Sequence, residues 1–211
     1  VKDEEGAIWV SHPYRGVYRV QWSPDRKTEL KVSFYDKRNG LPSNLNNYVF
    51  SVAQKAVFAT EKGVYRFNRQ TQKFHLDADF GKLLGAEHRI KSLQEDAKGN
   101  IWFVSELEVG VLLVDDFGLR KESRKKIFSE LSKKLVGGFE FIYPYDERHI
   151  FFGAEQGFIH FDAQDLYKED TLLDLILTKV AAVGPRDSVL FDGWFVADGK
   201  CQPIQSTTQS L

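Results

Sequence analysis

The sequence is short of several residue types, and each shortage excludes a class of protein or site. Cys201 is the only cysteine, so no disulfide can form within the chain and a thiol-based metal cluster is excluded. No apolar run approaches the roughly 18 residues that a membrane-spanning helix needs. The amino end has no secretory signal pattern. Methionine is absent, and the chain enters a repeated pattern at Val1 in mid-phrase, so we expect it to be a piece of a longer protein.

The chain also has no large excess of positive or of negative charge. The chain has 29 basic and 30 acidic residues, for a net charge of −1, which gives no electrostatic reason to expect nucleic acid as a partner. One basic stretch spans residues 120–134, but Glu122 and Glu130 interrupt it and no aromatic platform accompanies it. We interpret that stretch as a solvated face.

The sequence does contain one phrase written four times. Each copy is a short apolar segment, a polar loop and a glycine that opens a second apolar segment: Ile8–Ser11 before Gly16, Val57–Thr60 before Gly63, Ile101–Val104 before Gly110, and Ile150–Gly153 before Gly157. The glycines are 63−16 = 47, 110−63 = 47 and 157−110 = 47 residues apart. A constant period in the 40s built from short strands is typical of a β-propeller with one blade per repeat.

The third repeat predicts the strands of a blade most clearly. Residues 90–96 alternate apolar and polar side chains, as a strand with one buried face does. Residues 96–100 form a turn, and Ile101–Ser105 returns as a strand buried on both faces. Fourth strands are predicted over Lys31–Tyr35 and Lys73–Leu76. In the third repeat, Ile127, Leu131 and Leu135 fall at helical spacing and predict a short amphipathic helix.

The repeated residues themselves are interpreted as structural. The aromatic residues are expected to pack between blades, the glycines to form turns, and one aspartate per blade to form a turn rather than a metal site. These residues are Trp9, Phe58, Trp102 and Phe151, then Gly16, Gly63, Gly110 and Gly157, then Asp3, Asp96 and Asp146.

The sequence therefore predicts an all-β fold of two parts. Residues 1–169 form about four propeller blades, each a four-stranded antiparallel sheet, as part of a larger propeller; a small closed ring of four blades is the alternative. Residues 170–211 begin a different pattern, which predicts a linker and the first strands of a β-sandwich.

Three of the repeats carry a family resemblance. Asp96-x-x-Gly99-Asn100-Ile101-Trp102, followed by a short loop and Gly110, is similar to the two-component regulator propeller repeat. Asp3–Val10 followed by Gly16-Val17-Tyr18-Arg19 is the best match to that repeat, and Ala59–Arg66 matches it next best. The segment 172–191 resembles the opening of the three-tyrosine, Ig-like domain that follows such propellers. Val10-Ser11 and Val104-Ser105 stand where the repeat has Gly-Thr, and Phe58 stands where it has Trp.

The resemblance implies a function in signalling. It implies the extracytoplasmic, periplasmic sensor region of a hybrid two-component histidine kinase, which binds a glycan and transmits the signal by a rearrangement of its domains. It also implies a homodimeric receptor that reaches the membrane only through a segment downstream of this chain. No cofactor, metal ion or enzymatic activity is expected in this part of the protein.

Candidate ligand-binding residues are sought in the loops that vary between repeats. In a four-stranded blade, the turn between the second and third strands shares a face with the connection to the next blade. Those loops carry aromatic, amide, basic and acidic side chains, which suit an oligosaccharide. The candidates are His12, Tyr14, Arg15, Asn46, Glu61, His88, Arg89 and Glu106.

Two other functions stay open. A propeller can be a scaffold for another protein without any small ligand. A lyase or hydrolase is a third reading, since Glu106 and Glu108 could act as paired carboxylates. The sequence has no phosphate-binding loop, no metal-ligand spacing of histidines and no Gly-x-Ser-x-Gly elbow.

Overall fold

The computed structural model describes residues 1–22, 30–114 and 120–167, and four short segments at 179–182, 188–192, 196–197 and 200–201. The described part of the chain is built mainly from antiparallel strands, which confirms the all-β prediction. It divides into two compact units, Val1–Lys168 and Glu169–Leu211.

The first unit contains four successive sheets, which we call blades 1 to 4. Blade 1 is β1 (Ile8–His12), β2 (Gly16–Trp22) and β3 (Leu30–Tyr35), and blade 2 is β4 (Tyr48–Val52), β5 (Lys55–Thr60), β6 (Gly63–Asn68) and β7 (Lys73–Leu76). Blade 3 is β8 (Ile90–Glu95), β9 (Ile101–Ser105), β10 (Val109–Val114) and β11 (Arg120–Ile127), and blade 4 is β12 (Ile142–Pro144), β13 (His149–Ala154) and β14 (Gly157–Asp162). Strands in each blade pair in chain order. In blade 1, Lys2 bridges Ile8 where the other blades have their first strand.

One helix that we did not predict connects blades 2 and 3. Helix α1 (Ala78–Leu84) begins after Asp77, whose carboxylate accepts hydrogen bonds from the backbone N–H groups of Asp79 and Phe80. The helix buries Phe80 and Leu84 against the blades. It therefore fixes where the chain enters blade 3.

Aromatic rings fill the space between blades 1 and 2. The ring of Trp9 lies edge-on to Phe58 at a centroid distance of 4.9 Å and to Phe67 at 5.0 Å. Tyr35 lies 5.6 Å from Trp9, and both Trp9 and Phe58 are buried. Edge-to-face packing adds about 0.5–1.5 kcal/mol per pair to the gain from burial alone.

The space between blades 2 and 3 is filled differently, by a largely aliphatic core. Blade 2 contributes Val57, Ala59 and Val64 to this core, and blade 3 contributes Ile101, Phe103 and Leu112. All six side chains are almost completely buried. Because β9 has blades on both sides, every residue of it is buried, as its apolar sequence predicts.

Between blades 3 and 4 the aromatic packing returns. Trp102 lies 6.0 Å from Phe128, 5.8 Å from Phe152 and 5.5 Å from Phe161. The prediction that Phe151 packs between the blades is wrong. Alternation along β13 directs Ile150 and Phe152 towards blade 3, so Phe151 lies on the opposite face of the sheet.

The predicted helix in the third repeat is also largely wrong. Ile127 ends strand β11, which pairs with β10, and the helix is limited to the four residues of α2 (Ser129–Ser132). Leu131 and Leu135 are nevertheless buried in the core between blades 3 and 4. The apolar spacing thus indicated burial rather than helix. The charged side chains of Arg124, Lys125 and Lys126 are accommodated in β11 because it is the edge strand of its sheet.

Gly110 is a further correction, since it is not a turn residue. It lies inside β10 opposite Phe103. A Cβ at this position would stand 2.3 Å from the backbone oxygen of Lys126. Glycine is therefore needed here for close approach of β11 rather than for a turn.

In the second unit the structure describes only short segments. Strand β15 (Lys179–Ala182) pairs with β16 (Ser188–Asp192), and β17 (Val196–Ala197) pairs with β18 (Lys200–Cys201). Residues 172–178, where the resemblance begins, lie outside the described residues. The assignment to a truncated Ig-like domain stays a prediction. Among the described residues no helix is long and apolar enough to cross a membrane.

Candidate functional site

The strands of the first unit run up and down, so its loops collect at two opposite faces. The loop face comprises the turns between second and third strands, at 12–16, 60–63, 105–109 and 154–157, with the connections from one blade to the next. The turn face comprises the turns between first and second strands, at 3–7, 53–54, 96–100 and 145–148. All eight candidate residues lie on the loop face.

Five candidates lie together where blades 1 and 2 meet. The N–H of Asn46 donates to the backbone oxygen of Pro13 at 2.8 Å, and its side-chain amide donates to Glu61 Oε1 at 2.8 Å. Asn46 has a φ of 55°, a left-handed conformation that asparagine adopts more readily than most residues. This one residue therefore joins the loop of blade 1 to the loop of blade 2.

The loop of blade 1 presents its own side chains around that junction. His12 Nδ1 accepts a hydrogen bond from the backbone N–H of Tyr14 at 3.2 Å, and the two rings lie 6.2 Å apart. The side chain of Tyr14 is 73% exposed, and Arg15 is exposed beside it. An exposed phenol next to a guanidinium and an imidazole can stack on a ligand and hydrogen-bond to its hydroxyl or acidic groups.

The other three candidates lie in the next interval, between blades 2 and 3. The backbone oxygen of His88 accepts from the N–H of Gly63 at 3.0 Å, and that of Arg89 accepts from the N–H of Glu106 at 2.8 Å. Gly63 belongs to the same turn as Glu61, so the two groups of candidates adjoin through the loop of blade 2.

The side chain of Arg89 contains a buried hydrogen-bond donor. This donor is Nε, which has no hydrogen-bond partner among the described residues. Buried donors are nearly always paired with protein groups or ordered water, so a water or ligand oxygen is the natural partner here.

On the turn face, the recurring aspartates organise the turns, as predicted. Asp96 Oδ1 accepts from the backbone N–H groups of Lys98 and Asn100, and Oδ2 accepts from Trp102 Nε1 at 3.0 Å. Asp3 repeats this arrangement with Trp9 Nε1 at 3.0 Å. In blades 1 and 3 the carboxylate thus couples the turn to the tryptophan between the blades.

Asp3 stays charged in spite of its burial. Desolvation would raise the pKa of Asp3, but hydrogen bonds from the Trp9 indole, the Ala7 backbone and the Arg19 guanidinium together lower it below its usual range. Arg19 also lies over the Trp9 ring, 5.6 Å from its centroid. The Asp3 carboxylate therefore has a structural role, since both of its oxygens accept hydrogen bonds within the fold.

A cavity of about 360 Å³, which was not predicted from the sequence, opens on the turn face between blades 1 and 2. Two ion pairs join blade 2 to blade 1 at this cavity: Arg69 Nη1 lies 2.6 Å from Glu5 Oε1, and Lys55 Nζ lies 3.6 Å from Glu4 Oε1. The lining residues are Asp3, Glu4, Trp9, Lys55, Ala56, Phe58, Arg66, Phe67 and Arg69. None of the eight candidate residues lines it.

Metal binding was not expected from the sequence. Within the described ranges, no group of three or more His, Cys, Asp or Glu side chains is placed to hold a metal ion. Blade 4 also carries exposed aromatic side chains that were not predicted from the sequence: Tyr143, Tyr145 and Phe158.

No protein-family profile and no curated protein sequence matches the chain. Solved structures do. The extracellular domain of BT3049, described as a hybrid two-component system of B. thetaiotaomicron, matches with a TM-score of 0.57 and 19% identity over 97% of this chain. The extracellular domain of BT4673, described as a one-component system of the same organism, matches with a TM-score of 0.41 and 13% identity over 98% of this chain.

The match covers 26% of the BT3049 domain and 35% of the BT4673 domain, so this chain spans about a quarter to a third of their lengths. Only the first match is close enough to bear on structure, and at this identity it concerns the fold alone. The chain has the fold of part of the BT3049 extracellular domain.

Proposed function

We propose that this chain is part of the periplasmic, ligand-sensing region of a hybrid two-component histidine kinase. The likeness of its fold to the BT3049 extracellular domain supports this role. The expected partners are those that the repeat resemblance implies: an oligosaccharide ligand, a second receptor chain, and a membrane reached through a downstream segment. Ligand binding would signal by favouring one of two arrangements of the domains.

We further propose that the oligosaccharide binds on the loop face at the junction of blades 1 and 2. The observation that carries this proposal is the grouping of His12, Tyr14 and Arg15 around the hydrogen-bonded pair Asn46 and Glu61. A ligand here would contact two blades at once, and a change in their relative position would pass along the stack.

Thermal melting tests this proposal. A binding oligosaccharide at 100 times its dissociation constant should add about 2.7 kcal/mol of apparent stability. We would melt the chain with a panel of short neutral and uronate-containing oligosaccharides and assay the same tubes for new reducing ends. We expect a rise in melting temperature without turnover.

A matched pair of variants locates the site. Tyr14→Ala should weaken binding about 10-fold by removing the stacking ring, while Trp22→Ala, an exposed aromatic at the other end of β2, should leave it unchanged. Turnover would favour a hydrolase or lyase instead. No shift with any oligosaccharide would favour a scaffold for another protein.

A further inference from the structure

The cavity on the turn face has side chains of opposite charge on its two sides. Blade 1 supplies two acids, which are Asp3 and Glu4. Blade 2 supplies three cations, which are Lys55, Arg66 and Arg69. The other lining residues are apolar: Trp9, Ala56, Phe58 and Phe67. The cavity therefore combines apolar surface with a cationic side that belongs to a single blade.

The cationic side follows from a difference between blades 1 and 2. Arg66 corresponds to Arg19 of blade 1, with 66−19 = 47, and each follows the same Gly-Val-Tyr. Arg19 lies 3.2 Å from Asp3 and 2.7 Å from Glu5, and both acids come from the first turn of its own blade. In blade 2 this turn, at 52–56, contains no acid and has a lysine instead. Blade 2 has thus lost the acids that neutralise the arginine in blade 1.

The cations of blade 2 are only partly satisfied. Arg66 donates to Asp77 through Nε, and its two Nη atoms have no hydrogen-bond partner among the described residues. Lys55 Nζ lies 3.6 Å from Glu4 Oε1, and Arg69 Nη2 lies 3.7 Å from Glu4 Oε2. A hydrogen bond between charged groups is shorter, at about 2.7–2.9 Å. Glu4 is therefore a distant partner for both cations.

The two acids in the lining differ in how firmly they are held. Asp3 is already engaged, because its oxygens accept hydrogen bonds from the Ala7 backbone, the Trp9 indole and the Arg19 guanidinium. The side chain of Glu4 is 49% exposed and has only its long contacts to the cations of blade 2. Exposed ion pairs contribute little to stability, so another carboxylate could replace Glu4 at small cost.

We propose that this cavity is a second binding site, for a hydroxylated carboxylic acid about the size of one sugar ring. The ligand carboxylate would bind Lys55 and Arg69 in place of Glu4. The Nη groups of Arg66 would donate to its hydroxyl oxygens, and half-buried Phe67 would offer apolar surface to its ring. A cavity of about 360 Å³ is at the small end of the range for ligand pockets. The site lies on the face opposite the proposed oligosaccharide site and does not depend on it.

Isothermal titration calorimetry of the chain with glucuronate and with glucose, at low ionic strength, tests the proposal. The two sugars differ only at C6, which is a carboxylate in glucuronate and a hydroxymethyl group in glucose. We expect glucuronate to bind at least about 10-fold more tightly, because its carboxylate would form hydrogen bonds with charged donors. Equal affinities for the two sugars, or no binding of glucuronate, would overturn the proposal.

Substitutions locate the bound glucuronate. Lys55→Met should weaken its binding about 10-fold, whereas Glu4→Gln should tighten it about 2–5-fold by removing the competing carboxylate. Lys62→Met is the matched control, since it changes an exposed lysine in the loop-face turn, and it should leave the affinity unchanged. Tyr14→Ala should also leave it unchanged, which separates this site from the oligosaccharide site.

Circular dichroism of each variant would establish that the fold is retained. A loss of affinity in Lys62→Met or Tyr14→Ala as large as in Lys55→Met would place glucuronate on the loop face and overturn the proposal. Weaker binding in Glu4→Gln would overturn it too, since Glu4 would then be a partner of the ligand rather than its competitor.

Discussion

Replacing Trp102 with alanine should lower the free energy of unfolding by about 3–5 kcal/mol, the usual loss for a large aromatic side chain removed from a core. Trp102 is completely buried and contacts the rings of Phe128, Phe152 and Phe161. Its removal would leave a cavity between blades 3 and 4. It would also remove the indole N–H that donates a hydrogen bond to Asp96 Oδ2.

Urea unfolding followed by far-ultraviolet circular dichroism would measure this loss. Trp102→Phe keeps most of the ring and loses the N–H, so it should cost only about 1–2 kcal/mol. Phe139→Ala removes an aromatic ring that is 80% exposed and should change stability by no more than about 0.5 kcal/mol. Equal stabilities for Trp102→Ala and Phe139→Ala would contradict the packing between blades 3 and 4.

Gly16→Ala should be much more destabilising than the same change at Gly157, although each glycine begins the strand that follows the loop-face turn of its blade. Both have positive φ, 103° at Gly16 and 120° at Gly157, so alanine is strained at either site by about 1–3 kcal/mol. At Gly16 the new Cβ would also stand 2.3 Å from the backbone oxygen of Tyr35, whereas at Gly157 no atom of a described residue lies within 4 Å.

The clash at Gly16 should add a further loss of about 1–3 kcal/mol, because β3 would have to move away from β2. The same urea titration on both variants would measure the difference directly. Indistinguishable stabilities for Gly16→Ala and Gly157→Ala would mean that β3 does not pack against β2 as the structure has it.

The constant spacing of the four glycines predicted the blades correctly because the backbone of each blade requires a glycine at this place. Gly16, Gly63 and Gly157 each follow a tight turn, and Gly110 lies where another strand approaches closely. The number of residues between the buried aromatic residue and the glycine is less constant, because the turns differ in length. Gly16 pairs with His12 at the end of its strand, whereas Gly110 pairs with Phe103 inside the sheet. Alignment on the phrase therefore chose Phe151 where the core uses Phe152.

The sequence contains the start and stop signals that are typical of a helix at α1. Asp77 precedes the helix as a capping residue, Phe80 and Leu84 are four residues apart, and Gly85 follows. The loop-face candidates could be grouped from strand topology alone, but the contact of Asn46 with Glu61 could not. The cavity could not be predicted either, since Lys55 and Arg69 become neighbours of Glu4 and Glu5 only when two blades pack together.

We propose that the ligand binds on the loop face at the junction of blades 1 and 2. Hydrogen exchange measured by mass spectrometry would test it most directly, with the chain free and saturated with the oligosaccharide that raises its melting temperature most. We expect slower exchange in the backbone at 12–16, 43–47 and 60–63. Protection confined to 3–7, 53–56 and 66–70, around the cavity on the turn face, would contradict the claim and place the ligand on the opposite side of the blades.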